Sequence, residues 1–394
     1  MKPYEILDGV YYAGVDDYTT HLFEGLWTIP YGVSYNTYIV RGEKTALIDT
    51  VSIHKANELL DNIGAIGIDY LVVNHMEPDH SGAIPELAAA FPQMKIVCNQ
   101  ATVAMIKGFY HVDESRCLII KDTDTLELGH GKTLQFFLTP MVHWPETMMT
   151  YLQEDKVLFS GDAFGTFGAL QGRIVDVSDC NREVCFQEMR RYYAAIVAKY
   201  SRHVQNALAK LNGLSVDYIC STHGPVWHEY VGKVISMYDD MSADRTEKGV
   251  VIVYGSMYGN TSAVAEVVAR RLAERGISDI RMYNAGNTDM SRILADIWRY
   301  KGLVIGGPTY SMNIFPPIEA LLRALEIREI PPRVAGAFGS YAWAPNAAKL
   351  SAVRMQAMGL DVVGALTMKL AMNAETEHQA VQMADAIADK LSEE

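Results

Sequence analysis

The stretch "VVNHMEPDHSG", Val72 to Gly82, decides how this chain is read. An apolar run ends in His75, and Glu77, Asp79 and His80 follow within six positions. Pro78 breaks the extended backbone and turns these polar groups around one point. Ionisable groups set against a buried strand are costly unless they pair or bind a metal. The stretch is therefore either a solvated polar loop or half of a metal site, and the two readings expect different partners elsewhere.

Three partners stand at the same kind of place, where an apolar run gives way to a loop. They are His143 in "TPMVHWPET", Asp162 in "LFSGDAFG" and His223 in "ICSTHGP". Loops at strand ends are where sites are usually built. A lone His or Asp beside a strand is more often a hydrogen-bonded surface residue. The ordered set His-x-Glu-x-Asp-His, then His, Asp and His, favours the metal reading.

With 394 residues the chain suits two domains. Hydrophobic residues make up 49% and charged residues 21%, as in ordinary globular proteins. The net charge of -13 argues against nucleic acid or an anionic membrane as partner. No apolar run reaches the length of a membrane span, and the N-terminus lacks a signal-peptide pattern. Five cysteines, Cys98, Cys117, Cys180, Cys185 and Cys220, form no C-x-x-C pair. Reduced thiols and a cytoplasmic location are expected.

The first part of the chain mixes strands and helices. "SYNTYIV" and "TALIDT" flank the turn "RGEK" as a hairpin, a helix is expected near 53–64, and a long helical region near 181–211. Ser81 is expected to cap a helix through "AIPELAAAF". The polar segment "MSADRTEKG" (241–249) closes this part, giving expected domains at 1–246 and 250–394. Beyond it strands and helices alternate, the grammar of a doubly wound parallel sheet.

In "IVYGSMYGNTSAVAEVVA" a buried strand runs through Ser256, Met257, Tyr258, Gly259, Asn260 and Thr261 into a helix. Two hydroxyls and the N–H groups freed by Gly259 suit a phosphate at a helix N-terminus. The loop has no Lys, so it is not a Walker motif. "GGPTYSMN" carries Pro308, Thr309, Tyr310 and Asn313, and "GSYAWAP" carries Ser340, Tyr341 and Trp343. In a sheet of order 2-1-3-4-5 these loops meet the first at the switch point, where the aromatic rings flank a planar ligand. A phosphate held by neutral donors resembles the flavodoxin way of binding FMN, and FMN is the ligand that this resemblance implies; ordinary loop packing is the rival reading.

"HMEPDHSG", "HWPE", "SGDAFG" and "STHGP" resemble the metallo-β-lactamase-like domain of the flavodiiron proteins, and residues 250–394 resemble their flavodoxin domain. The hydrolases of the first fold carry His-x-His-x-Asp-His; here Glu77 replaces the second His, which favours iron over zinc. The resemblance implies an αβ/βα sandwich followed by a flavodoxin-like sheet. It implies one iron on His75, Glu77 and His143, another on Asp79, His80 and His223, and Asp162 bridging them. His80 is the ligand that some members leave unbound. Glu24, Trp27 and Tyr193 are expected near the substrate pocket.

The activity implied is reduction of dioxygen to water or of nitric oxide to nitrous oxide, with electrons passing through FMN. The donor implied is a separate rubredoxin-like protein, because no paired C-x-x-C motifs are present; a reduced deazaflavin is the alternative. A head-to-tail homodimer, or a pair of such dimers, is implied too. A dizinc hydrolase and a plain FMN electron carrier are the rival classes. Glu77 and the FMN loops argue against the first, and the full ligand set against the second.

Overall fold

The structure is a computed structural model that describes residues 3–176 and 182–393, with Arg182 described in its backbone only. Cys180 and the first residue of the expected 181–211 helix lie outside the described residues. The chain divides into two compact units, Met1–Ala243 and Asp244–Glu394.

The first unit is built on two sheets. One has seven strands in the order Tyr4–Leu7, Val10–Tyr12, Tyr38–Arg41, Thr45–Ile48, Tyr70–Val72, Lys95–Cys98 and Cys117–Ile119. The other has five, Thr125–Gly129, Lys132–Leu138, Met148–Leu152, Val157–Gly161 and Tyr218–Ser221. Their apolar faces share one core: Val40, Ile48, Val72 and Val97 from the first meet Leu134, Phe136, Met148 and Phe159 from the second. Helices cover the outer faces, so the layers read αβ/βα. Strands such as Val157–Gly161 are buried at every position, which is why their sequence is apolar without alternation.

Tyr38–Arg41 and Thr45–Ile48 pair antiparallel across the "RGEK" turn. The segment near 53–64 is a 3₁₀ turn, Ile53–Lys55, leading into the helix Ala56–Ile63. From Arg182 to Leu211 the chain is helical, but a π-helical stretch, Tyr193–Val197, and a 3₁₀ turn, Ala198–Tyr200, interrupt it. Ser81 does not cap the helix Ile84–Ala90. It closes the short helix Pro78–Ser81, and its hydroxyl bonds the Met76 and Glu77 carbonyls and the Tyr110 hydroxyl. Those partners hold the turn carrying His75 to His80, so the serine serves the loop before it.

The second unit is a parallel sheet in the order Ile280–Asn284, Glu247–Tyr254, Tyr300–Tyr310, Val334–Tyr341 and Asp361–Lys369, which is 2-1-3-4-5. Helices Asn260–Glu274 and Ala374–Lys390 bury Val264, Val268, Met383 and Ile387 against it. Among the described residues no helix is long and apolar enough to cross a membrane.

Candidate metal and flavin sites

All seven residues marked in the first unit converge, in two clusters. His75, Glu77, His143 and Asp162 form one; Asp79, His80 and His223 form the other; within each, the ligand atoms lie within 4.8 Å of one another. His75 and His80 flank the turn after Tyr70–Val72, His143 lies between Lys132–Leu138 and Met148–Leu152, and Asp162 and His223 follow adjacent parallel strands. Five strand ends thus point their loops at one spot.

Asp162 belongs to both clusters by distance. Its Oδ2 lies 2.9 Å from His143 Nε2 and 3.7 Å from His75 Nε2. Its Oδ1 lies 3.2 Å from His80 Nε2 and 3.7 Å from His223 Nε2, and accepts from the Thr222 hydroxyl. Glu77 Oε2 sits 3.0 Å from His143 Nε2 and 3.5 Å from His75 Nε2. Asp79 Oδ2 sits 3.2 Å from His223 Nε2.

A donor set this buried is tested by what satisfies it. The Nε2 atoms of His75, His80 and His223 and both Asp79 oxygens are buried and make no hydrogen bond. Such atoms cost free energy unless something else partners them. Burial opposes protonating His80, yet Asp162 and Asp79 hold its imidazole up at about 10. Burial likewise opposes charge on Asp162, and His80 and His143 pull its carboxyl well below the ordinary range. The field that keeps protons on these imidazoles is the field a cation would meet. Four imidazoles and three carboxylates in two clusters fit a pair of metal ions, and the mixed N/O set fits iron.

Further residues fix the donors. Glu146 Oε1 takes His75 Nδ1–H at 2.6 Å, and the Ser34 carbonyl takes His223 Nδ1–H at 2.7 Å. Asp49 accepts from both the backbone and the side chain of Asn74, next to His75. Sequence reading quoted Glu146 within "HWPE" without giving it a role, and Ser34 acts through its backbone, which no side-chain pattern reports.

Of the expected pocket residues, Trp27 is buried and donates its Nε1–H to Glu24 Oε2 at 3.2 Å. Glu24 lies at the solvent edge, where burial and then Glu77 push its carboxyl up. Tyr193 is buried. Its hydroxyl bonds Ser201 Oγ at 2.7 Å and its ring packs edge-on against Tyr238. The preceding Tyr192 is the ring beside His223, with Phe23 and Phe167 completing an aromatic wall.

In the second unit the three loops follow the C-terminal ends of three neighbouring parallel strands. Gly259 has φ +92°, a conformation that glycine adopts freely, and stands at the N-terminus of Asn260–Glu274. Its N–H donates to Ser256 Oγ at 3.1 Å. Thr261 Oγ1 meets Ser340 Oγ at 2.8 Å, which ties the first loop to the third. Thr309 Oγ1 accepts from the N–H groups of Asn346 and Ala347, which ties the second to the third. Asn313 accepts from the Ile314 N–H. Pro308 is buried at the end of its strand, and Tyr341 is half-buried at the end of the next. Tyr310, Met257, Tyr258 and Trp343 are exposed, Tyr258 by 88% and Trp343 by 83%, although they are large and apolar. Neutral donors at a helix N-terminus with aromatic rings beside them fit the phosphate and ring system of FMN.

Residues 33–224 match the ODP family beta lactamase domain and residues 252–384 match the flavodoxin domain. An anaerobic nitric oxide reductase flavorubredoxin of Escherichia coli is 34% identical over 91% of this chain and 76% of that one. The rubredoxin oxygen:oxidoreductase of Desulfovibrio gigas superposes with a TM-score of 0.94 at 29% identity, covering 99% of both chains. The flavodiiron protein of Giardia intestinalis superposes with a TM-score of 0.94 at 27% identity, covering 100% of this chain and 97% of that one. The chain belongs to the flavodiiron proteins, a family of oxidoreductases.

Proposed function

We propose that this protein reduces dioxygen to water, nitric oxide to nitrous oxide, or both, at a diiron site, with electrons delivered through FMN. The observation that carries the reading is Asp162, whose two oxygens face imidazoles of two separate clusters, in which the Nε2 atoms of His75, His80 and His223 have no hydrogen-bond partner. In this reading His75, Glu77 and His143 hold one iron, Asp79, His80 and His223 hold the other, and Asp162 spans both. Bound there, two ferrous ions and one reduced flavin supply four electrons, the number dioxygen needs to become two waters, while coupling two nitric oxides needs two.

The protein's own groups position and exclude. Glu146 and the Ser34 carbonyl hold His75 and His223 with Nε2 directed into the site. Thr222 donates to Asp162 and fixes its carboxylate plane. Phe23, Phe167 and Tyr192 keep bulk water from the His223 side. Ser256, Thr261 and the N–H groups of Asn260 and Thr261 cradle the FMN phosphate, with Tyr310, Tyr341 and Trp343 at the ring.

The names of the Escherichia coli and Desulfovibrio gigas relatives support nitric oxide and dioxygen as substrates and a rubredoxin-type donor. We place the protein in the cytoplasm as a head-to-tail homodimer or a pair of such dimers. The test is anaerobic turnover of the reduced, iron-loaded protein with each gas in parallel, alongside iron, zinc and FMN content. Consumption of either gas is expected. Zinc in place of iron with neither gas consumed would overturn the reading.

A further inference from the structure

The two clusters are not electronically equal. Both share Asp162, and each has one further carboxylate, Glu77 in one and Asp79 in the other. The difference lies behind the imidazoles. His75 rests on a carboxylate: Glu146 Oε1 is 2.6 Å from its Nδ1 and also accepts the Met76 N–H at 3.0 Å. Glu146 is buried, and its own carbonyl is tied to Asn99 Nδ2 at 2.5 Å, so the group is held and screened from water. In the other cluster His223 rests on a neutral carbonyl, that of Ser34, and His80 Nδ1 is buried with no partner.

A carboxylate behind a ligating imidazole makes that nitrogen a stronger donor and adds negative charge near the metal. In a buried site this charge is poorly screened. The buried Asp49 carboxylate lies near His80 and His75 alike and is bonded to neither, so the asymmetry rests on the direct bond from His75 to Glu146, which favours the ferric over the ferrous ion at the His75 position.

We infer that Glu146 splits the two iron potentials, so that the first electron into a diferric site goes to the iron at Asp79, His80 and His223, and the iron at His75, Glu77 and His143 is reduced second. Glu146 is a positioning residue that acts through His75. Each step adds one electron to one ferric ion, and both electrons come from the reduced flavin. The inference rests on the diiron reading.

Glu146→Gln isolates the charge. The amide oxygen still accepts from His75 and Met76, and the amide nitrogen takes the place of Oε2, which has no partner. The measurement is a redox titration of the iron-loaded holoprotein, followed by the electron paramagnetic resonance signal of the one-electron-reduced state. In the Gln variant the lower couple should shift upward and the upper couple should stay, so the potential range in which the intermediate accumulates should narrow and its maximum yield should fall. In Glu146→Asp, which keeps the charge, the lower couple should stay below that of the Gln variant. Equal shifts of both couples, or an unchanged gap, overturn the inference. Failure of the wild-type protein to hold iron would instead strike the diiron reading itself.

Discussion

Thr261 Oγ1 and Ser340 Oγ, 79 positions apart in the chain, lie 2.8 Å from each other and are buried. The contact joins the first and third loops of the flavin site. Thr261→Val removes one partner and leaves the Ser340 hydroxyl unpaired where a phosphate hydrogen bond is also proposed. Losing a charge-assisted bond of this kind costs about 1.5–3 kcal/mol. FMN affinity, read from flavin fluorescence on release, should fall roughly ten- to a hundredfold, since each 1.4 kcal/mol is tenfold. Iron content should not change. Unaltered FMN affinity counts against the phosphate loop.

Asp162→Ala should empty both metal positions together. One carboxylate lies within reach of imidazoles from both clusters, so its loss weakens two positions at once. Iron should fall from about two per chain to well under one, with gas reduction lost and the flavin spectrum retained. Metal analysis beside the visible spectrum checks this. Loss of only one iron would remove Asp162 from the bridge.

The two positions should release metal at different rates. His80 Nδ1 has no partner, whereas His75 is fixed by Glu146, and outer partners of this kind are worth about 10–100-fold in metal affinity. A chelator should therefore remove iron in two phases, roughly tenfold or more apart. His80→Ala should hold less iron and lose the fast phase alone. A single phase in the wild-type protein would refute the difference.

Asp49 should give the metal-free protein a pH dependence. Burial raises its carboxyl from 3.8 to about 6, against the pull of His80. A raised folded value contributes stability below the unfolded value and loses it as pH rises through the folded one. The window is therefore about pH 4 to 6, and two units correspond to about 3 kcal/mol. The carbon-13 shift of the Asp49 carboxyl should titrate near 6, and Asp49→Asn should flatten the stability profile there. Titration near 4 would contradict this.

The parts of the site legible in the sequence are those that stand on strand ends. His75, His143, Asp162 and His223 each end an apolar run, and parallel or sandwiched strands bring such ends together. The three loops of the second unit, which follow neighbouring parallel strands, were legible for the same reason, because a strand-then-glycine pattern repeats three times. What was not legible lies far off in sequence or turns on helix phase. Glu146 is 71 positions from His75 and the Ser34 carbonyl 189 from His223. Tyr192, which no sequence pattern singled out, packs beside His223, while Tyr193 packs against Tyr238, because the chain passes into a π-helical stretch at Tyr193 and adjacent residues on a helix face different ways. Ser81 looked like a cap because a helical pattern follows it, yet nearer carbonyls take its hydroxyl.

The last prediction concerns the proposed head-to-tail dimer. Electrons must pass from FMN to iron, and that arrangement pairs the flavin of one chain with the irons of the other. One variant, His75→Ala with His143→Ala, removes two imidazoles from a single iron position. The other, Gly259→Val with Thr261→Val, disables the phosphate loop. A side chain at Gly259 meets no neighbouring atom within 4 Å, so the damage there comes from forcing a β-branched residue to φ +92° rather than from a clash. Each variant alone should be inactive with a rubredoxin-type donor. Mixed after dissociation, they should form hybrid dimers with one intact FMN–diiron pair, and activity should return to about half per hybrid dimer, one working site of two. Native mass spectrometry establishes that hybrids form. If they form and no activity returns, electrons pass within one chain and the head-to-tail arrangement is wrong.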